Sequence, residues 1–224
     1  MSVSHKKAQK DLQLLSFEEA REWLNRQSAS LQIKGHPTLV HFWSISSEAA
    51  KINLAQVAEL RDQRKREGVR VIAVHVPQSE AEKDRDAVRN AIARLNLTEP
   101  CALDNEHKLG NALLNGRDVL PVYCLFDIEG GLRMSSSALE KIEDELDQML
   151  ADLRSQNPFC TACELFLDKE AMFCSDCGSP LSLPGSSGTH PYYESHYYSS
   201  LPTIRLVNPD PLIGHVIDGK YELK

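Results

Sequence analysis

No apolar run in this sequence approaches the ~18 residues that a membrane span requires. No membrane contact is therefore expected. An excess of positive charge is missing too. The formal net charge is -7 over 224 residues, which removes the electrostatic basis for nucleic-acid binding. The opening stretch, from Met1 through Lys7 to Leu15, has no apolar core of the kind a secretory signal carries, so a cytoplasmic location is expected. The His-Glu-x-x-His spacing of a metalloprotease helix is absent. Cysteine does not occur in the first 100 residues, so that part of the chain has no side chain able to form a thiolate.

The length suggests one or two domains, and a hydrophobic content of 42% is enough for a proper core. The six cysteines divide into two kinds. Cys101 and Cys124 stand alone in apolar, strand-like surroundings with no basic neighbour, as buried cysteines usually do. The other four form two Cys-x-x-Cys pairs, Phe159-Cys160-Thr-Ala-Cys163 and Phe173-Cys174-Ser-Asp-Cys177-Gly178. In a reducing compartment such pairs read as metal ligands before disulfides. Each pair brings two thiolates to one ion, and the two pairs complete a closed tetrahedron, for which zinc is the expected occupant. Gly178 lets the backbone turn tightly after the last ligand. Four protein ligands leave no position for a catalytic water. The segment is too short to hold itself by apolar burial, so metal binding should supply most of its folding free energy. It resembles the small zinc ribbons of bacterial cytosolic proteins over about residues 158–182. A pair of disulfides, or a dithiol redox module, is the competing reading.

Residues 36–50 organise the rest. Thr38 to Trp43 is β-branched and aromatic, as a buried strand requires. Ser47 is a good helix N-cap, and Leu54, Val57 and Ala58 follow on one helical face. Here the chain resembles the thioredoxin superfamily, specifically the redoxin-like thiol–disulfide oxidoreductases of bacteria. In that family, Phe-Trp and three further residues precede Cys-x-x-Cys at this strand-to-helix junction. Phe42-Trp43 is present, but Ser47 and Ala50 stand at the two cysteine positions. The family's cis-proline, which faces the redox helix, matches Pro121. The resemblance covers roughly residues 30–155 and implies an α/β thioredoxin-like fold. It also implies a degenerate redox site at Trp43, Ser47, Ala50 and Pro121, with no catalytic residue. A serine hydroxyl stays protonated at neutral pH and cannot replace the thiolate that attacks a disulfide. Ser47 as a hydrolytic nucleophile would need a base and an oxyanion hole, and no nearby motif supplies them.

The remaining chain fits this frame. The Ser16-to-Glu19 spacing is a capping box, which predicts a lead-in helix within residues 1–29, running through Trp23 and Leu24. Val69 to Val76 is a strand apolar enough to be covered on both faces, with Gly68 as the helix stop before it. Val88, Ala91, Ile92 and Leu95 mark a helix, Pro100 to Leu103 a short strand, and Leu109, Ala112 and Leu113 a helix ending at Gly116. A strand over Val119–Asp127 and a turn at Glu129–Gly131 follow. Ser137 and Glu140 form a second capping box, opening a helix whose stripe is Leu139, Ile142, Leu146, Met149, Leu150 and Leu153. His41 and His75 fall inside strands, as satisfied core or edge residues. Residues 183–224 read as a linker and tail, with tyrosines at 192, 193, 197 and 198. The last residues, Pro211 to Leu223, are similar to the lead-in of bacterial Ser/Thr kinases or form a terminal hairpin.

Three functions stay open at this level. The first is a redox-inactive protein-binding or scaffold module with a structural zinc ribbon. The second is a thiol–disulfide oxidoreductase or peroxiredoxin-like enzyme, with its motif mutated or using Cys101 or Cys124. The third is a regulatory fragment adjoining a kinase-like region. A protein partner is expected.

Overall fold

The computed structural model describes residues 22–25, 34–114 and 119–181, with the backbone alone at 216–217 and 221–222. The chain divides into two compact units, Met1–Gly185 and Ser186–Lys224. In the second, Val216–Ile217 and Tyr221–Glu222 pair as a short antiparallel ladder. The tyrosine strip lies outside the described residues, as do Ser16–Ala20 and Gly116.

The first unit is built on a six-stranded sheet. Its strands are β1 (Trp23–Leu24), β2 (Thr38–Trp43), β3 (Arg70–His75), β4 (Cys101–Leu103), β5 (Val122–Phe126) and β6 (Leu132–Ser136), in the order β1-β4-β3-β2-β5-β6. β2 pairs in parallel with β3, and β3 with β4. β5 is antiparallel to β2 and β6 to β5. All six residues of β2 are buried, as expected for a central strand covered on both faces.

The two faces follow the period of the strand. Val40, Phe42, Ile72, Val74, Val122 and Cys124 point into one cluster, closed by Val88, Ala91 and Ile92 of α3 (Arg85–Leu95) and Leu109 and Leu113 of α4 (Lys108–Leu113). Leu39, Val71, Tyr123 and Leu125 point into the other. There they meet Val57 and Leu60 of α2 (Leu54–Arg64) and the stripe of α5 (Leu139–Gln156). Leu146 and Ile142 are fully buried; truncating either to alanine would cost about 2–5 kcal/mol.

Two local expectations are corrected. Trp23 and Leu24 are not helical. They form the edge strand β1, antiparallel to β4, with Trp23 opposite Ala102 and Leu24 opposite Cys101. Ser137 does not cap α5. The N-cap is Ala138, without a side-chain bond, while the Ser136 hydroxyl accepts from the Ala138 N–H at 3.0 Å. β6 runs as far as Ser136, so the hydroxyl that ends the strand takes over the turn.

Candidate functional site

The chain leaves β2 at Trp43 and turns through residues 44–47 into α1 (Glu48–Ile52). Hydroxyls hold this turn. The buried Ser44 Oγ accepts from the Ser47 N–H at 3.1 Å. Ser47, in extended geometry, accepts from the Ala50 N–H at 3.2 Å. Ser47 is thus the helix cap expected from the sequence, satisfying one of the orphan donors of the first turn. Ala50 is buried and shares a cluster with Trp43, Leu54 and Leu120. Phe42 stands opposite Val122 in the ladder, which brings Pro121 level with Trp43. The Leu120–Pro121 bond is cis. The four residues named for the degenerate redox site therefore belong to one end of the sheet. Two large apolar side chains from its connections, Ile52 and Val119, are 74% and 79% exposed.

Two buried polar arrangements lie in the same sheet. His75, on β3, is fully buried, with its ring 5.0 Å from that of Trp43. Neither ring nitrogen is hydrogen-bonded, and Glu82 Oε2 stands 3.6 Å from Nε2. Burial lowers its pKa to about 4, against the opposing pull of Glu82. Glu82 in turn accepts from the Ile45 and Gln78 N–H groups, each at 3.3 Å, and so ties residues 78–82 to the turn. The second arrangement is His41–Glu99–Arg61. Glu99 is buried, accepting from His41 at 2.8 Å and Arg61 at 2.7 Å. Burial pushes its pKa up, but the His41 bond and the Arg61 charge outweigh this and hold it at about 2. His41 is therefore a satisfied core histidine, as read from the sequence; His75 has no such bond. Neither carboxylate was foreseen. Glu99 directly precedes Pro100 at the mouth of a strand, the only local hint that it turns inward.

Neither lone cysteine is disulfide-bonded. Both are fully buried, and burial pushes the Cys101 thiol up to about 12. At neutral pH it is a thiol, not a nucleophilic thiolate.

The four remaining sulfurs lie at the opposite end of β2 and β3. β7 (Phe159–Cys160) and β8 (Leu165–Phe166) form one hairpin, and a Phe173–Pro180 bridge closes the second loop. All four cysteine sulfurs lie within 4.8 Å of one another, an arrangement that can hold a metal ion. The backbone has positive φ one residue after each pair, at Glu164 (53°) and Gly178 (71°). The Ser179 hydroxyl and backbone draw the Cys177 thiol down from its ordinary value, while burial pushes Cys160 up and the neighbouring Cys177 sulfur pushes Cys163 up.

This element is docked tightly on the sheet. Phe166 lies in the main core and packs against Phe159, ring centroids 4.7 Å apart and planes tilted by 52°. Its N–H donates to Gly35 O at 3.0 Å, and the Arg70 guanidinium meets Glu164 at 3.3 Å. A Cβ on Gly68 (φ +82°) would lie 2.7 Å from Glu164 O and 3.1 Å from Phe159. The glycine read as a helix stop is also a contact point for the cysteine-bearing element.

Comparison with known proteins bears on the sheet unit. Over 136 residues, 59% of this chain and 90% of the relative, the sequence is 35% identical to thiol-disulfide oxidoreductase YkuV of Bacillus subtilis (strain 168). The chain belongs to the thioredoxin-like thiol–disulfide oxidoreductases. A solution structure of a thioredoxin-like protein in the oxidized form is 33% identical over 59% of this chain and 90% of its own, with a TM-score of 0.52. A thiol-disulfide isomerase from Corynebacterium glutamicum, 17% identical over 59% of this chain and 92% of its own with a TM-score of 0.50, shares the fold. No protein-family profile matches the chain. Within this thioredoxin-like family, the expected α/β architecture is present, and the cysteine quartet adds a small element able to bind metal.

Proposed function

We propose that this chain is a redox-inactive thioredoxin-like module that binds a protein partner in the cytoplasm and carries a structural zinc ribbon. One observation carries the first part. The strand-to-helix junction, where thiol exchange needs a thiolate, offers only the hydroxyls of Ser44, Ser46 and Ser47 and the methyl of Ala50. A hydroxyl there caps a helix; it neither attacks a disulfide nor accepts its electrons. The exposed Ile52 and Val119 at the same end supply apolar surface of the kind partners cover. Zinc suits the quartet. A tetrahedron with Zn–S bonds of ~2.3 Å has edges of about 3.8 Å, and Cys160 Sγ stands 3.7 Å from Cys177 Sγ.

A second reading, a working oxidoreductase, is favoured by the name of the relative from Bacillus subtilis. Outside the four-cysteine cluster it would require Cys101 or Cys124, both fully buried. Reduction of insulin by the purified chain separates the two. No turnover is expected from the chain as it stands, whereas Ser47→Cys combined with Ala50→Cys should acquire it and serves as the positive control. Turnover by the unaltered chain that survives chelation, with rapid alkylation of Cys101 or Cys124 near neutral pH, would sink the inactive reading.

A further inference from the structure

The four sulfurs are unequal. Cys160 and Cys174 are buried, Cys163 is half-buried and Cys177 is exposed. Cys177 also lies directly against a buried partner, Cys160, at 3.7 Å. Oxidation of cysteine follows thiolate character and exposure, and a metal keeps its ligands as thiolates. An ion held here would therefore have one thiolate open to small oxidants and a second in position to trap the product. Resting on the zinc reading above, we infer that Cys177 is an oxidation site through which a hydroperoxide releases the ribbon's ion.

The step balances as follows. The Cys177 sulfur attacks the outer peroxide oxygen; an S–O bond forms, the O–O bond breaks, and the departing alkoxide or hydroxide takes up a proton. The Cys160 thiolate then attacks the Cys177 sulfur, forming the S–S bond and expelling hydroxide, which takes up a second proton to become water. Two thiolates lose two electrons and the peroxide gains them. The ion is left with two of its four ligands. A dithiol reverses the change by thiol–disulfide exchange.

The consequence reaches the sheet. β7 and β8 carry Phe159, Cys160 and Phe166, and Phe166 is part of the main core. Loss of the ion therefore loosens the clasp over Gly35 and Gly68. The thioredoxin-like unit would respond to oxidant through the ribbon, with no cysteine at its own junction.

The test uses the full chain with its metal. Hydrogen peroxide is added in steps, released zinc is read with a chromogenic chelator, and disulfides are mapped by mass spectrometry. One Cys160–Cys177 bridge per ion released is expected, with metal binding restored by dithiothreitol and added zinc. Cys101→Ala with Cys124→Ala should release identically, and Cys177→Ser should resist release. Should Cys177→Ser fail to hold zinc, mapping on the unaltered chain decides. Metal retained while Cys101 or Cys124 oxidises would overturn the inference and leave the zinc reading intact, as would release with no bridge among the four. A chain that binds no metal when purified under reducing conditions and supplied with zinc defeats the zinc reading, and this inference with it.

Discussion

At one end of the β2–β3 pair, the chain turns through residues 44–47 on hydroxyl and backbone bonds. At the other, Gly35 and Gly68 lie against the β7–β8 hairpin, which carries two of the four clustered thiols. The first end holds the four residues read as a degenerate redox site; the second holds the four cysteines that belong to neither cluster of the sheet. The same sheet supports both, because its strands are fixed by apolar side chains on two faces, to which the ribbon end adds Phe166. The difference teaches that the exposed and half-buried cysteines of this chain lie where they can tie the ribbon to the sheet, and that none lies in the turn through residues 44–47.

Removing the ion should give the largest effect. A ligand at about a thousand times its Kd stabilises the folded state by about 4 kcal/mol, equivalent to a melting-temperature change on the order of 10 °C for a unit of this size. Because Phe166 belongs to the main core, that loss should appear in the unfolding of the sheet, followed by the fluorescence of Trp23 and Trp43, both on its strands. A tryptophan transition unmoved by chelation would show that the ribbon is merely appended.

Acid comes next, and its main target, His75, lies beside Trp43 at the junction end. His75 titrates at about 4 in the folded state against an ordinary 6.5. Below about 6.5 the unfolded chain takes up a proton that the folded one does not, so stability falls on acidification and the loss is complete below about 4. Glu99, held at about 2 against 4.5, gives stability that is whole above about 4.5 and disappears as the pH falls through about 2. Each is worth about 3 kcal/mol at most. Urea unfolding from pH 7 to 4 should show a slope that His75→Phe flattens and Glu99→Gln leaves in place down to about pH 4.5. Protonation of the metal ligands affects all three proteins alike. Equal slopes in all three would remove His75 from this account.

A smaller effect should separate docking from backbone strain at the ribbon end. Gly68 and Gly178 both have positive φ, but an added Cβ meets Glu164 O and Phe159 at Gly68 and nothing within 4 Å at Gly178. Gly178→Ala should cost about 1 kcal/mol and Gly68→Ala nearer 3, within the range for a non-glycine residue in that region. Only Gly68→Ala should also weaken zinc retention through displacement of β8. Equal costs would mean that the contact between ribbon and sheet contributes little.

How far the sequence shows all this follows from where each signal resides. β2, β3 and β5 are legible as apolar runs, and α5 as a single stripe, because burial imposes a short period on neighbouring residues. The metal quartet is legible because its ligands come in two local pairs. β1 is not legible because the Ser16–Glu19 box points to a helix, while the residues that make Trp23 and Leu24 extended are Ala102 and Cys101, far along the chain on β4. Glu99 was missed for a like reason: Arg61 and His41 approach it only in the fold. The docking of the ribbon was equally hidden, since Gly68 looks the same whether it merely ends a helix or also receives Glu164.

The smallest expected change lies at the junction itself. Ser47→Ala removes the side-chain bond to the Ala50 N–H and should cost about 1 kcal/mol, the usual worth of an N-cap. Zinc affinity should not move, because a six-residue strand spans about 20 Å and separates the cap from the ribbon. Combined with Gly68→Ala, the two losses should add to within about 0.5 kcal/mol, as for sites that share no partner. Denaturant unfolding of the two single variants and the double variant gives the number directly. An interaction above about 1 kcal/mol would mean that the ends of β2 and β3 are energetically joined, and that the serine which replaces a thiol in this reading is tuned to the ribbon as well as to its own helix.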